Sequence, residues 1–352
     1  MVILDNIIFS LQQHGGVSVL WGNLIEALKE QKISFKMTEY SNAIQNNKIR
    51  KAITNVTDKI IPLKGLVKIT RWFNPKIHYS SPFIFHSSHY RICKNKRAIN
   101  ITTVHDFVYE YYRTGPSRWL HCWQKYNAIR SSDAIICISE NTKKDLLKFI
   151  PDIEAAKIRV IYNGVSDDYG PLTNVNSKYQ NCLLFVGGRQ SYKNFKFAVE
   201  SARAVHKKLL VVGCDIDINE RTILDTILGN GNYRIIVHPD NNTLNELYNS
   251  VFALIYPSSY EGFGIPVIEA QKAGCPVIAM NSSSIPEIIG DYRLLLNKLD
   301  IEEFKTKIEY LNIPDNRMSI INAGLENSKR FSWHKMTTEY IELYREILLN
   351  YD

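Results

Sequence analysis

Residues 256–269 read YPSSYEGFGIPVIE, and this stretch carries the most specific pattern in the 352-residue chain. The apolar run 251–256 predicts a strand, a glycine-rich loop follows it, and Pro266 suits the first turn of a helix. Glu261 and Glu269 then flank backbone that a ligand can approach closely. Carboxylates in such positions can accept hydrogen bonds from sugar or ribose hydroxyls, and loop N–H groups can meet phosphate oxygens. The stretch therefore predicts a ligand-binding loop at a strand end of a parallel α/β sheet.

The surrounding chain alternates strands with helices, which predicts a doubly wound unit over residues 181–330. Strands are expected at 182–186, 209–212, 234–237, 251–256 and 276–279, with helices near 194–207, 217–229, 243–250 and 266–273. Residues 166–180 are rich in Asp, Gly, Pro, Asn and Ser without periodicity, so they are expected to be a linker.

The first strand of this unit runs into GGRQSYKN at 187–194. In that order, Arg189 and Lys193 are expected at the carboxyl end of the sheet, close enough to bind one diphosphate together. Two fixed cations could replace a metal ion there. Two solvated surface charges remain the alternative interpretation of these residues alone.

Residues 1–165 alternate in the same way and are expected to form an N-terminal Rossmann-like domain on the acceptor side. Its strands are expected at 2–9, 34–37, 99–104, 134–138 and 158–161, with helices at 17–29 and 140–149. Gly15 and Gly16 follow the loop 10–14 just before a helix, where backbone N–H groups favour a phosphate, although an ordinary glycine turn is equally open. The fold class is thus α/β, with two Rossmann-like doubly wound domains facing a central cleft and C-terminal helices. The last helix, 331–352, is expected to pack back towards the N-terminal domain.

Composition excludes general disorder and indicates a basic N-terminal half. Hydrophobic residues make up 45% of the chain, and 43 Lys and Arg stand against 35 Asp and Glu. Between residues 41 and 100 there are 12 basic residues and one acid, Asp58, with apolar residues interleaved. This pattern gives the hypothesis of contact with an anionic membrane surface, while a solvated surface remains open. No nucleic-acid partner is expected, because no recognised binding module accompanies the charge.

The chain is expected to be cytoplasmic, with peripheral association at the inner face of the cytoplasmic membrane. The opening residues 1–11 lack the positive region of a signal peptide, and no apolar run is long enough to span a bilayer. The six cysteines form no CxxC pair and are expected to be reduced and buried.

The string EGFGIPVIE at 261–269 resembles the family 4 glycosyltransferases of the GT-B fold, of the bacterial surface-polysaccharide type. YPSSY precedes the string, and AGCPVIA and SSSIPEIIGD follow it. Supporting motifs stand in the expected order: TTVHDF, ICISENTKKDL, IYNGV, VGGRQSYKN and the late FSWHKMTTEYIELYREIL. The resemblance runs from about residue 2 to residue 347.

The resemblance implies a role for each residue that matches the family's motifs. Arg189 and Lys193 are similar to the pair that binds the diphosphate of a nucleotide-sugar donor. Backbone amides of Gly15, Gly16, Gly262, Phe263, Gly264 and Ile265 would assist them. Glu269 resembles the acid that holds the ribose, and Glu261 the contact to hydroxyls of the transferred sugar. His105 resembles the active-site histidine beside that sugar, with Asp106 orienting it.

The chemistry that follows needs no cofactor and no divalent metal. Cations at the diphosphate offset the negative charge that builds on the leaving group. The resemblance implies retention of the anomeric configuration, and we name no protein nucleophile. One motif points the other way, because Asp215 and Asp217 form the DxD of metal-dependent glycosyltransferases. We interpret them instead as a polar loop and an acid at a helix start.

The leading hypothesis is a metal-independent retaining glycosyltransferase that moves a hexose from a GDP-, UDP- or dTDP-sugar to a glycan or lipid-linked saccharide. Its setting would be lipopolysaccharide O-antigen or capsule synthesis, and mannosyl transfer is one of the options. A sugar-nucleotide epimerase or glycan phosphorylase of the same architecture is the alternative. A sugar-nucleotide-binding protein without turnover is a third hypothesis, against which the intact Arg189, Lys193, Glu261 and Glu269 argue.

Overall fold

The computed structural model describes residues 1–175 and 177–349, which divide into two compact units. Unit 1 comprises residues 1–164 together with the helix that begins at Trp333, and unit 2 comprises residues 165–332. The segment 166–180, expected to be a linker, is grouped with unit 2, apart from Asn176, which lies outside the described residues. Residues 350–352 of the expected last helix also lie outside them.

Unit 1 is built on a seven-stranded parallel sheet. Its strands are β1 (Val2–Asp5), β2 (Phe35–Tyr40), β3 (Ile60–Leu63), β4 (Phe83–Ser87), β5 (Ala98–Val104), β6 (Ala134–Cys137) and β7 (Ile158–Val160), in the order β3-β2-β1-β4-β5-β6-β7. The helices are α1 (Ile7–Leu11), α2 (Gly16–Glu30), α3 (Ala43–Asn46), α4 (Lys48–Ala52), α5 (Val67–Thr70), α6 (Val108–Tyr112), α7 (Pro116–Arg130) and α8 (Glu140–Phe149). β4, β5 and β6 are buried along their whole length, as expected for strands covered on both faces.

Unit 2 is built on a six-stranded parallel sheet. Its strands are β8 (Cys182–Val186), β9 (Lys208–Gly213), β10 (Tyr233–Val237), β11 (Ala253–Tyr256), β12 (Val277–Met280) and β13 (Leu295–Leu296), in the order β10-β9-β8-β11-β12-β13. The helices are α9 (Phe195–Ala204), α10 (Ile218–Ile227), α11 (Asn241–Ser250), α12 (Ile265–Lys272), α13 (Ile285–Ile289), α14 (Ile301–Asn312) and α15 (Pro314–Ser328). β8 and β11 are neighbours at the centre, where the strand order reverses and ligands of open α/β sheets bind.

The last helix, α16 (Trp333–Leu349), packs on unit 1. Its buried face includes Tyr340 and Tyr344, and it contributes to the same core as α2. The Tyr344 hydroxyl lies 2.5 Å from Nδ1 of the buried His86, and the Tyr340 hydroxyl lies 3.2 Å from Oγ1 of Thr103. These polar contacts tie the C-terminal helix to β4 and β5 at buried positions.

The prediction of one strand over residues 2–9 is wrong beyond Asp5, because the chain turns into helix α1 at Ile7. The buried carboxylate of Asp5 pairs with Arg91, and Asn6 accepts a hydrogen bond from Nε1 of Trp21 at 2.8 Å. A short unbroken apolar run is compatible with either a buried strand or a buried helix, so the pattern alone could not separate them. Strands β3, β4 and β13 were not predicted.

Two of the 12 basic residues between 41 and 100 are not on the surface. Arg50 is buried with its Nε 2.6 Å from Glu39, and Arg91 is buried against Asp5. Neither guanidinium can face a membrane. The expectation that all six cysteines are buried is also wrong, because Cys214 lies exposed in the loop after β9. No helix within residues 1–175 and 177–349 has the length and apolarity needed to cross a bilayer.

Candidate active site

The loops that follow β8 and β11 are hydrogen-bonded into one structure. Asn194, at the start of α9, donates through Nδ2 to the Pro257 carbonyl and to Oγ of Ser259, both at 2.7 Å. The Ser259 N–H donates to the Tyr192 carbonyl at 2.8 Å. The two loops that carry the motifs therefore hold each other at the carboxyl ends of adjacent central strands.

Two glycines in these loops adopt backbone conformations that L side chains disfavour. Gly187, directly after β8, has φ of +124°, and Gly264, directly before α12, has φ of +106°. A Cβ on Gly264 would also lie 2.8 Å from Cδ1 of Ile285. These backbone conformations explain why both motifs need glycine at these positions.

Lys193 and Glu261 form a partly buried ion pair between the two loops. Nζ of Lys193 lies 2.5 Å from Oε1 of Glu261, and the side chains are 15% and 12% exposed. The ammonium also lies near the rings of Tyr192 and Tyr256, at 5.4 and 5.7 Å from their centroids. The ion pair thus brings together Lys193, the expected diphosphate contact, and Glu261, the expected sugar contact.

A run of three serines after β12 is hydrogen-bonded to the backbone of the glycine-rich loop. Oγ of Ser282 donates to the Ser259 carbonyl at 2.6 Å, and Oγ of Ser284 donates to the carbonyls of Glu261 and Phe263 at 2.9 and 2.8 Å. The Glu261 N–H donates to Oγ of Ser283 at 2.8 Å. The sequence contains this run within SSSIPEIIGD, but its pattern gives no sign that the hydroxyls buttress the loop.

Arg189 is held on the other side of β8, beside the end of β9. Its Nε lies 2.8 Å from Oε2 of Glu220, and Nη2 donates to the carbonyls of Cys214 and Asp215 at 3.1 and 2.6 Å. Nη1 is buried without a hydrogen-bond partner in the described part of the chain. Arg189 and Lys193 therefore lie at neighbouring strand ends, each already paired with a carboxylate, which sequence reasoning did not anticipate.

Glu269 lies on α12 against two tyrosines. The Tyr248 hydroxyl donates to Oε2 of Glu269 at 3.0 Å, and Tyr169 contributes a second hydrogen bond. Burial raises the pKa of Glu269 to about 7, and the hydrogen bonds from Tyr248 and Tyr169 only partly oppose this rise. The carboxyl group thus titrates near neutrality and is prearranged to accept hydroxyl donors. The sequence pattern identified neither tyrosine.

The DxD residues after β9 serve local structure. Asp217 is the N-cap of α10, accepts the Glu220 N–H at 2.9 Å, and completes a capping box with that residue. Asp215 accepts the N–H of Ile216 at 2.9 Å. The interpretation of Asp217 as an acid at a helix start is confirmed. No group of three or more His, Cys, Asp or Glu side chains in residues 1–175 and 177–349 is arranged to hold a metal ion.

In unit 1, Gly15 and Gly16 stand at the start of α2, and His105 and Asp106 follow β5. Gly15 has φ of 164°, which is extended backbone open to any residue, so its conformation does not require glycine. The Gly15 loop follows α1 rather than a strand, contrary to the prediction. Parallel strands place both segments on the carboxyl-end side of the unit 1 sheet.

The pKa of His105 is lowered to about 4. Burial is the main cause, the negative charge of Asp106 opposes it, and Lys125 adds to it. The imidazole is therefore neutral at pH 7. The Asp106 carboxylate accepts the N–H of Val108, the first residue of helix α6, at 3.0 Å, and it acts on His105 through its charge.

Comparison with known proteins agrees with this arrangement. The model of glycosyltransferase family 4 matches residues 14–169, and the model of glycosyl transferases group 1 matches residues 173–327. The chain is 25% identical over 267 residues to O-antigen chain mannosyltransferase B of Escherichia coli, which is 70% of each protein.

Solved structures share the fold at low sequence identity. Sucrose-phosphate synthase from Thermosynechococcus elongatus aligns over 99% of both chains with a TM-score of 0.77 and 16% identity. HepE of Anabaena, solved in complex with UDP and glucose, aligns over 98% of this chain and 99% of its own, with a TM-score of 0.73 and 12% identity. Both alignments therefore extend over the two Rossmann-like units of this chain.

Proposed function

From the premise that this chain is a glycosyltransferase of the family 4, GT-B type, we propose that it moves a hexose from a nucleotide-sugar donor to a saccharide acceptor, with retention of configuration. Mannose is the first donor sugar to test, because the E. coli relative is an O-antigen chain mannosyltransferase. The acceptor we propose is a glycan or a lipid-linked saccharide of a surface polysaccharide. The enzyme would work in the cytoplasm at the membrane surface.

One observation carries the proposal. Lys193 and Glu261 form an ion pair between the loops that follow the central strands β8 and β11. In the same unit, Arg189 lies on the β9 side of the first loop, and Glu269 lies on the helix that follows the second. Two cations, two carboxylates and the backbone of a glycine-rich loop are the groups that a diphosphate, a sugar and a ribose require. Neither an ordinary glycine turn nor a solvated surface would require Lys193 and Glu261 to form a partly buried ion pair between the two loops.

Lys193 can contact a diphosphate without leaving Glu261. An ammonium has three N–H donors, and the pair with Glu261 uses one of them. Glu261 keeps lone pairs for sugar hydroxyls, so the ion pair would align the phosphate contact with the sugar contact. Arg189 has its buried Nη1 as a further donor.

Lys193 and Arg189 alone do not supply enough positive charge to stabilise the negative charge that develops on the departing nucleotide. Both cations are already matched by a carboxylate, so the local side-chain charge is close to neutral. The remaining stabilisation is assigned to backbone N–H groups of residues 262–265 and the N-terminal end of α12. This arrangement provides fixed donors in place of a metal ion.

A donor screen and a transfer assay test the proposal. Thermal shift against GDP, UDP, dTDP and their sugars should single out one base, because a ligand of the folded state raises its melting temperature. Sugar transfer to a saccharide acceptor should then persist in excess EDTA, and NMR of the product should show the anomeric configuration of the donor. Conversion of the donor sugar without an acceptor would point to an epimerase, and activity restored only by a divalent metal would contradict the proposed metal independence.

A matched pair of variants shows whether the site is the one described. Lys193→Ala should abolish transfer, whereas Lys196→Ala, on the exposed face of α9 where Lys196 pairs with Glu200, should not. Equal activity of the two variants would remove this site from the proposal.

A further inference from the structure

Helix α7 of unit 1 presents an apolar face to solvent. Trp119, Trp123 and Leu120 are 75%, 61% and 42% exposed. Together with Pro116 they line an open depression of about 570 Å³. The opposite face of the helix is buried and includes His121, Cys122, Gln124, Lys125, Ala128 and Ile129. The helix is therefore amphipathic with its largest aromatic residues on the outside.

Two exposed tryptophans on one helix face are unusual in a surface that only water covers. Trp119 and Trp123 are four residues apart, which places them on the same side of the helix. A contiguous exposed apolar patch of this kind marks a surface that contacts a protein or a membrane. Tryptophan in particular combines an apolar ring with an N–H donor and is enriched at the water–lipid boundary.

A second exposed apolar segment adjoins α7. Nε2 of Gln124 donates to the Arg71 carbonyl at 2.8 Å, which ties α7 to the chain just after α5. The segment 64–73 exposes Leu66, Ile69 and Phe73, and between them the cations Lys64 and Lys68. We call this segment and the exposed face of α7 the aromatic-basic patch.

The patch carries positive charge and no negative charge. Residues 59–105 and 111–132 contain no Asp or Glu at all. The acid between these ranges that lies nearest α7, Glu110, is buried and paired with Lys125 at 2.7 Å. Arg113 is exposed and Arg118 half-buried close to the α7 face in the chain, so the segments that form the patch contribute cations and no anions. An anionic surface complements this distribution.

We propose that the aromatic-basic patch docks the enzyme on an anionic lipid bilayer, with Trp119 and Trp123 at the level of the lipid headgroups. This inference deepens the proposed function and rests on it, since a lipid-linked acceptor presents its sugar at that surface. It also places the docking surface on α7, outside most of the basic region 41–100. A neutral apolar partner, such as a second copy of the chain, would not require the surrounding cations.

The first test compares wild type with Trp119→Ser/Trp123→Ser. Full-length protein is sedimented with phosphatidylcholine vesicles that contain or lack phosphatidylglycerol. Wild type should bind the anionic vesicles, and the double variant should bind about tenfold less or weaker still, because each ring contributes apolar contact. Tyr292→Ser/Met318→Ser in unit 2 is the matched control, since those side chains are similarly exposed at 64% and 57%. Equal sedimentation of the two double variants would overturn the proposal.

A second test keeps the patch apolar and measures whether Trp119 and Trp123 enter the bilayer. Bromine-labelled lipids should quench the fluorescence of wild type, whereas Trp119→Phe/Trp123→Phe should bind vesicles but lose most of the quenching. Trp72, which is half-buried within segment 64–73 of the patch, is replaced by Phe in both proteins of this test, and Trp21 is fully buried in the unit 1 core. Binding with unchanged quenching in the Phe variant would place the lipid contact elsewhere and refute the proposal.

Two further experiments test the charge of the patch and the possibility that a second copy of the chain covers it. Lys64→Glu/Lys68→Glu should reduce binding to anionic vesicles roughly tenfold or more at low salt, with less effect at high salt. Sedimentation velocity without lipid should show the same mass for wild type and Trp119→Ser/Trp123→Ser. A dimer of wild type that the double variant loses would assign the patch to a second copy instead. Nucleotide binding, measured without vesicles, separates the two proposals, because it should be equal in all these variants even if vesicle binding fails.

Discussion

Replacing Glu269 by glutamine should change the stability of the protein in a pH-dependent way. The pKa of Glu269 is raised by burial to about 7 from the ordinary 4.5. A group whose pKa is raised on folding contributes stability that is complete below its unfolded pKa and is lost as the pH rises through its folded pKa. Wild type should therefore become less stable between about pH 5 and pH 8, and Glu269→Gln should be spared that loss.

The size of the effect follows from how far folding raises the pKa of Glu269. Linkage over that pH range gives about 2 to 3 kcal/mol, because raising a pKa by one costs about 1.4 kcal/mol once the group is ionised. In a chain of 352 residues the difference between the melting temperatures of Glu269→Gln and wild type should grow by roughly 3 to 4 °C from pH 5 to pH 8. Glutamine keeps an oxygen that can accept the Tyr248 hydroxyl, so the comparison isolates the charge.

Thermal melts of both proteins at pH 5, 6, 7 and 8 measure this difference. Glu246→Gln, which replaces an exposed glutamate on helix α11 beside Tyr248, is the control and should track wild type at every pH. A constant difference between Glu269→Gln and wild type across the range would refute the argument that burial sets the titration. Calorimetry adds the functional side: Glu269→Gln should bind the nucleotide more weakly at pH 8, where the wild-type carboxylate can accept two ribose hydroxyls.

Three further changes test the ion pairs. Arg189→Ala combined with Lys193→Ala should reduce transfer at least a hundredfold, because fixed donors at the leaving group are lost. Glu220→Gln should raise nucleotide affinity roughly threefold in calorimetry, since it removes a negative charge beside Arg189 while the carbonyl contacts of Arg189 and the capping box remain. Arg91→Met should lower the free energy of unfolding by about 3 to 5 kcal/mol in denaturant melts, because it leaves the buried carboxylate of Asp5 unpaired.

Arg91→Met has a control variant in the chain, and each of the three changes has an outcome that would contradict it. Arg130→Met removes an exposed pair with Asp152 and should cost less than about 1 kcal/mol; a cost equal to that of Arg91→Met would contradict the burial argument. Weaker nucleotide binding in Glu220→Gln would mean that Glu220 mainly positions Arg189 rather than offsetting its charge. Transfer near the wild-type rate in the double alanine variant would exclude both cations from the reaction.

The α/β class and most strands of both sheets could be predicted from the sequence, because parallel strands covered on both faces leave near-continuous apolar runs. The runs 182–186 and 134–138 correspond closely to β8 and β6. Strand β1 was overextended through Phe9, since consecutive apolar residues fit a buried helix as well as a buried strand. Strand β4 was not predicted, because its polar residues His86 and Ser87 interrupt the apolar run. Their hydrogen-bond partners are distant in the sequence.

The local motifs of the site were also readable in the sequence, because a glycine-rich turn between a strand and a helix is defined by residues close together in the chain. Arg189, Lys193, Glu261 and Glu269 could be proposed from such turns. Their partners could not, because Glu220, Tyr248 and Ser284 lie between 21 and 31 residues away and reach the site only when neighbouring strands pair.

What the sequence by itself determined is the order of strands, helices and short motifs, since these follow from periodicity and turn chemistry within a few residues. Only the tertiary structure decided which charges are paired. Arg50 and Arg91 look like surface cations in the sequence, yet folding buries them against Glu39 and Asp5, whereas it leaves the large apolar rings of Trp119 and Trp123 exposed. Burial depends on which elements pack on a side chain, and that is set by contacts between segments far apart in the chain.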